Sequence, residues 1–245
     1  MGQFKHESIK PAKIAPKDAH LALKAARLRL KDGRREKTMA FHKIDLETWP
    51  RREYYEHYIQ QVVCTYSITV RLDITRLGGH KIYPAMLWLL TQTVNEFAQF
   101  RTQLTAEGLG YFDEMHPSYT VFSPEKETFS SIWTLCDGDF PAFLARYRED
   151  VARYAPSGCF SPKPGQPENC FDVSMLPWMR FEGFNLNIFG DGKYLLPIFT
   201  MGQAFVEGEK TLLPLAIQVH HAVCDGYHVS QFVAALQEKI AAFAF

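Results

Sequence analysis

The chain has 245 residues, an apolar fraction of 47% and 27 basic against 27 acidic side chains, enough for one large domain with a substantial core. No apolar run approaches the roughly eighteen residues of a membrane span, and no signal-peptide pattern opens the sequence. The five cysteines, Cys64, Cys136, Cys159, Cys170 and Cys224, form no C-x-x-C pair, which argues against a disulfide framework or zinc ribbon and for reduced thiols in a cytoplasm.

The neutral total hides an asymmetry. Residues 1–40 carry eleven Lys and Arg against four Asp and Glu, so this front is +7 and the remaining body −7. A nucleic-acid binder concentrates positive charge on its folded body, so nucleic acid is not an expected partner. Residues 1–40 read as a basic extension in which Asp18 caps a short helix over 19–31, ended by Asp32-Gly33. Met39 stands directly before the first domain-like segment. It is expected to be an alternative start, with 1–38 dispensable and 41–245 forming the domain.

From Phe41 onward the pattern is dense. Thr48 or Trp49 is expected to cap a helix with Pro50 in its first turn. Residues 63–73 alternate, with Cys64, Tyr66, Ile68, Val70 and Leu72 on one side, which predicts a half-buried strand. Residues 82–97 predict a well-buried helix. Strands are predicted over 119–122 and 128–135, an amphipathic helix over 140–154, and a Gly/Pro-rich loop over 156–167. Further strands are expected near 184–189, 195–205 and 211–221, before a closing helix over 226–242. Strands and helices interleave without strict βαβ alternation. The expected fold is therefore α+β, a two-layer sandwich of one mixed sheet with helices packed on it.

The chemistry concentrates in Gln218-Val219-His220-His221-Ala222-Val223-Cys224-Asp225-Gly226. Imidazole is the side chain best matched to moving protons near neutral pH. Adjacent residues at a strand end point to opposite faces, so only one ring serves a given site, and His221 is the candidate. The same divergence, with a spacing unlike common zinc patterns, argues against a metal held by His220, His221, Cys224, Asp225 and His228. Ser174, beside the rigid Pro177-Trp178 pair, is a candidate oxyanion donor; its local sequence taken alone favours a serine closing a turn. There is no Gly-x-Ser-x-Gly elbow and no P-loop. Cys224 lacks a nearby base, so direct transfer suits the chain better than a covalent intermediate.

Several blocks together carry a resemblance: Trp49-Pro50-Arg51-Arg52-Glu53, Tyr119-Thr120-Val121-Phe122, Glu127-Thr128-Phe129-Ser130, Ser174-Met175-Leu176-Pro177-Trp178, Phe184-Asn185-Leu186-Asn187, Pro197-Ile198-Phe199-Thr200-Met201 and the run ending in Asp225-Gly226. From about Phe41 to Ala242 the chain resembles the trimeric type of chloramphenicol acetyltransferase. Its His-containing signature is shared with dihydrolipoyl acyltransferase cores and with condensation domains of peptide synthetases.

The resemblance implies the CoA-dependent acyltransferase fold and transfer of acetyl from acetyl-CoA, a co-substrate and not a bound cofactor, to the 3-hydroxyl of chloramphenicol. It implies His221 as general base, Ser174 as oxyanion donor, Thr200 assisting through water, and Asp225 paired with Arg51 in a structural role. The antibiotic pocket maps onto Tyr58, Cys64, Tyr66, Thr120, Phe129, Phe160, Leu186, Ile188 and Ile198. The implied assembly is a cytoplasmic homotrimer, with His221 from one subunit and most of the pocket from its neighbour. The extra residues 1–38 and Tyr66, where some relatives have Phe, are departures. The rival expectations are a thioester-dependent transferase for another hydroxylated acceptor and a drug-binding protein without turnover.

Overall fold

The computed structural model describes residues 40–78, 81–188 and 190–244. The expected extension over 1–38 and its helix therefore lie outside the described residues. In chain order the elements are β1 (Phe41–Lys43), α1 (Arg52–Glu56, continued by a π turn His57–Gln61), β2 (Thr65–Asp73), α2 (Ile82–Val94), β3 (Thr102–Thr105), β4 (Gly108–Phe112), β5 (His116–Ser123) and β6 (Thr128–Trp133). Then come α3 (Phe140–Tyr154), β7 (Cys170–Met175), β8 (Ile198–Met201), β9 (Phe205–Glu207), β10 (Lys210–His220) and α4 (Gly226–Ala242).

The main sheet runs β2-β10-β8-β7-β5-β6, with β9 paired to β10. Strands β5, β7 and β8 are parallel to one another and the other pairs are antiparallel, which makes the sheet mixed. A separate small sheet, β1-β4-β3, flanks it. The architecture is the expected α+β sandwich. Among the described residues, no helix is long and apolar enough to cross a membrane.

The period-2 rule divides the faces of β10. Leu213, Leu215, Ile217 and Val219 are buried in the core with the helices. Ala216 and Gln218 lie on the other face, in register with Thr200 and Ile198 of β8. Helix α4 closes the core because Val229, Phe232, Leu236 and Ile240 recur at helical spacing and are buried. The Phe232 ring stacks on Phe100 at 4.3 Å and lies 5.3 Å from Phe199. Helix α3 begins where expected: the Asp139 carboxylate accepts from Ala142 N–H at 3.0 Å, and Pro141 fills the first turn.

Several expectations are corrected. The first helix starts at Arg52, not at a Thr48 or Trp49 cap, because the Asp45 carboxylate instead closes a preceding turn, accepting from Glu47 N–H and Thr48 Oγ–H. The helix over 82–97 stops at Val94; Asn95 turns the chain and its carboxamide binds Met115 N–H at 2.8 Å. The strand at 184–189 does not form. Its described part, 184–188, is held by side chains: Gln218 Oε1 accepts from Leu186 N–H at 2.8 Å and Ser67 Oγ donates to Asn185 at 2.9 Å. The strand over 195–205 shrinks to Ile198–Met201 and restarts at Phe205, since Gln203 N–H leaves the sheet to bond Met179 O at 2.8 Å. Strands β1, β3, β4 and β7 were not anticipated.

Phe232 is fully buried against the rings of Phe97, Phe100 and Phe199. Phe232→Ala is expected to lower unfolding free energy by about 3–5 kcal/mol, read as a drop in the urea midpoint with an unchanged slope.

Candidate active site

The parallel ladder between β5 and β7 ends at the pair Tyr119–Val173. Beyond it both strands run on, to Ser123 and Met175, without pairing to each other. A helix residue bridges the split: Tyr83 Oη donates to Thr120 O at 3.0 Å and lies 3.4 Å from Val173 O. A cavity of about 850 Å³ opens here, at the carboxyl ends of parallel strands, where ligands commonly sit. Its wall is mainly aromatic and aliphatic, which suits a flat, ring-bearing ligand.

Ser174 stands in this wall on β7, so its backbone is extended and the turn reading is corrected. Register sets Ser174 opposite Thr200 on β8, and their hydroxyls are 3.0 Å apart. When Thr200 donates to Ser174, the Ser174 proton is free to point at a bound oxygen. Thr120, Phe129, Phe160, Leu186 and Ile198 line the same cavity.

His220 and His221 have different fates. His220 ends β10, is buried, and accepts from Ala222 N–H through Nδ1 at 3.1 Å. Burial holds its pKa below the ordinary histidine value. His221 begins the following turn and keeps 31% of its side-chain surface exposed. Its ring is stacked on Tyr58 with centroids 4.2 Å apart and an interplanar angle of 4°, and Tyr66 lies 5.1 Å away. Tyr66 is itself fixed by donating to Cys224 O at 3.2 Å. His221 N–H bonds Cys64 O at 2.9 Å, which ties the turn to the residue before β2.

Arg51 is the organiser of this turn. Its Nη2 donates to His221 O at 2.8 Å and its Nε to Ala222 O at 3.1 Å. Both terminal nitrogens also engage the Asp225 carboxylate, with Nη2–Oδ1 at 2.5 Å, in the bidentate geometry guanidinium favours. Asp225 caps α4 in a capping box with His228, whose Nδ1 accepts from Asp225 N–H at 3.0 Å. The Arg51 hydrogen bonds hold the Asp225 pKa below the ordinary carboxylate value. Asp225 Oδ1 also lies 3.0 Å from His221 Nδ1, although the pair lacks hydrogen-bond geometry. Burial pushes the Cys224 thiol up to about 12, which leaves no thiolate at neutral pH.

The nominated residues thus fall into two groups within one chain. Neither Tyr58, Tyr66, His221 nor Asp225 lines the cavity that Ser174 occupies. Ile188 is exposed and lies outside that wall as well. Missed by sequence reasoning were Tyr83, Tyr147 and Asp172 of the wall, the last accepting from Tyr194 Oη at 2.5 Å. Asp172 and Ser174 share a face by the alternation of β7, and recognising that strand would have found it.

Comparison with known proteins gives a consistent result. A family model described as chloramphenicol acetyltransferase matches residues 39–237. A chloramphenicol acetyltransferase of Clostridium perfringens is 53% identical over 205 residues, 82% of this chain and 99% of the relative. One from Clostridioides difficile is also 53% identical, over 82% of this chain and 97% of its own. Among solved structures, a chloramphenicol acetyltransferase shares the fold at a TM-score of 0.70 and 19% identity, over 82% of this chain and 100% of that one. A dihydrolipoamide acetyltransferase of Azotobacter vinelandii shares it at a TM-score of 0.53 and 18% identity, over 73% and 82%.

Asp225 has a lowered folded pKa, so its stabilisation is complete above the unfolded value of about 3.9 and is lost as pH falls through the folded value. Asp225→Asn is expected to destabilise at pH 7 and to flatten the loss of stability below pH ~4, read from urea unfolding across pH. Arg51→Ala strands the carboxylate and is expected to cost about 3 kcal/mol at pH 7.

Proposed function

The chain belongs to the chloramphenicol acetyltransferase family, and from that premise we propose that it transfers the acetyl group of acetyl-CoA to the 3-hydroxyl of chloramphenicol. The observation that carries this reading is the Ser174–Thr200 hydroxyl pair, 3.0 Å apart, set in the wall of an aromatic cavity. A nitrophenyl ring suits the apolar wall, and the paired hydroxyls suit the oxygen that becomes charged.

In this reading His221 takes the proton of the attacking hydroxyl. The freed oxygen bonds to the thioester carbonyl carbon, and the carbonyl oxygen becomes an oxyanion. Ser174 donates to that oxyanion while Thr200, directly or through water, orients the Ser174 hydroxyl. Collapse expels the thiolate of CoA, which recovers the proton from the imidazolium. The products are the acetyl ester and free CoA, with no covalent enzyme intermediate. The buried Cys224 thiol supports direct transfer.

The acceptor pocket and the base must meet. Within one chain the His221 ring stacks on Tyr58 and stands outside the cavity wall. We therefore propose a homotrimer in which the base of one subunit faces the cavity of its neighbour. The exposure of Phe122, Phe129, Phe160, Trp178, Met179 and Leu186 supports an interface there. Arg51 and Asp225 act by fixing the turn that carries His221. Tyr58, Tyr66 and Cys64 touch the turn of the base and, with Ile188, are assigned to acceptor binding beside it. Cytoplasmic location and dispensability of residues 1–38 belong to the same proposal. Both rest on reduced thiols and on a family match that starts at residue 39.

One spectrophotometric assay of CoA thiol release tests the reaction. Chloramphenicol is expected to accelerate release from acetyl-CoA; an unresponsive rate points to another acceptor or to a protein that only binds the drug. His221→Ala is expected to lower kcat by about 10²–10⁴-fold while sparing drug binding. Ser174→Ala is expected to lower it by about 10²–10³-fold. Sedimentation of the protein, and of a form beginning at Met39, is expected to give three subunits.

A further inference from the structure

Residues 158–169 form neither helix nor strand, yet this stretch carries Phe160 into the cavity wall. Such a segment keeps one position only where contacts offset its conformational entropy. Before Phe160 the anchors are hydrogen bonds to its backbone. Ser130 Oγ donates to Cys159 O at 2.7 Å, and Ser131 N–H donates to Phe160 O at 2.6 Å. Among the described residues the ring meets one aromatic partner, edge-on to Phe129 with centroids 5.9 Å apart. It is 69% exposed, so packing alone does not fix it.

Beyond Phe160 the next anchor is a charge, three residues on; the far end of the segment is tied separately, where Asn169 donates to Glu114 O at 2.7 Å. Lys163 lies between Pro162 and Pro164, which restrict the backbone on either side and present the side chain from an extended segment. Its Nζ is 2.7 Å from Asp150 Oδ1, donates to Trp133 O at 2.9 Å, and lies 4.0 Å from the centre of the Trp133 ring. The two charged side chains are only 13% and 15% exposed. The other Asp150 oxygen accepts from Thr134 Oγ1 at 2.6 Å. Because Thr134 spends its one proton there, the 2.8 Å contact with Tyr119 has the phenol donating. Tyr119 also lines the cavity. One part-buried carboxylate on α3 is thereby joined both to the loop of Phe160 and to the floor of the same cavity. With its charge met by Asp150 inside the protein, Lys163 is not presented to an outside anion.

We propose that Lys163 is a positioning residue for the acceptor: locked between Asp150 and Trp133, it holds Phe160 at the cavity wall and so sets the KM for chloramphenicol. This rests on the acetyl transfer proposed above. The test is steady-state kinetics with each substrate varied in turn. K163M is expected to raise the chloramphenicol KM about tenfold, equivalent to roughly 1.4 kcal/mol of acceptor binding, with kcat and the acetyl-CoA KM within about twofold. K163R is expected to restore most of the affinity. F160A is expected to match K163M, and K163M/F160A to be no worse than F160A, because Lys163 acts through that ring. Should K163M fail to fold, K163M/D150L removes both charges and strands neither, and the same rise in KM is expected. An unchanged chloramphenicol KM in either folded variant, beside an active wild type, overturns the positioning role alone. A wild type that chloramphenicol does not stimulate overturns the reaction itself and the acceptor role with it.

Discussion

The geometry of the candidate base depends on one guanidinium. Arg51 precedes α1, far from the signature in sequence, yet it binds two carbonyls of the turn after β10 and both oxygens of the α4 cap. A turn with its carbonyls unmet would be free to choose other conformations. With Arg51 in place the His221 ring lies flat on Tyr58. The arrangement is charge-assisted and bidentate, the geometry for which Arg and Lys are not interchangeable. Asp225 is shared between holding Arg51 and capping the helix, so the loss of either partner disturbs both tasks.

A second constraint places the cavity. Parallel β5 and β7 can share a ladder only while they stay adjacent, and their pairing stops at Tyr119–Val173. At the split Tyr83, from the helix layer, gives its hydroxyl proton to Thr120 O and keeps Val173 O within 3.4 Å. The opening is therefore a property of topology, and the residues at its rim need no special local sequence. Ser174 and Thr200 are brought side by side by strand register alone.

These two constraints act at separate places in one subunit. Strand β10 belongs to both: the turn that follows it carries His221, and Gln218, buried two residues before the histidine pair, holds the Leu186 segment of the cavity wall. A shared strand lets a single backbone position both groups at once.

Much was legible in the chain itself. The amphipathic periodicity of α3 and α4 places both helices, because that spacing is a local signal. The alternation in β2 and the apolar run of β10 mark two strands of the main sheet. Tertiary structure decided the rest. Residues 184–188 have strand-like composition but are held by Gln218 and Ser67 side chains, and Ser174 reads locally as a turn yet lies in β7 between two parallel neighbours. The physical reason is range: caps and periodicity act within a few residues, whereas register, the β5–β7 split and the reach of Arg51 across 174 positions to Asp225 exist only once distant segments meet.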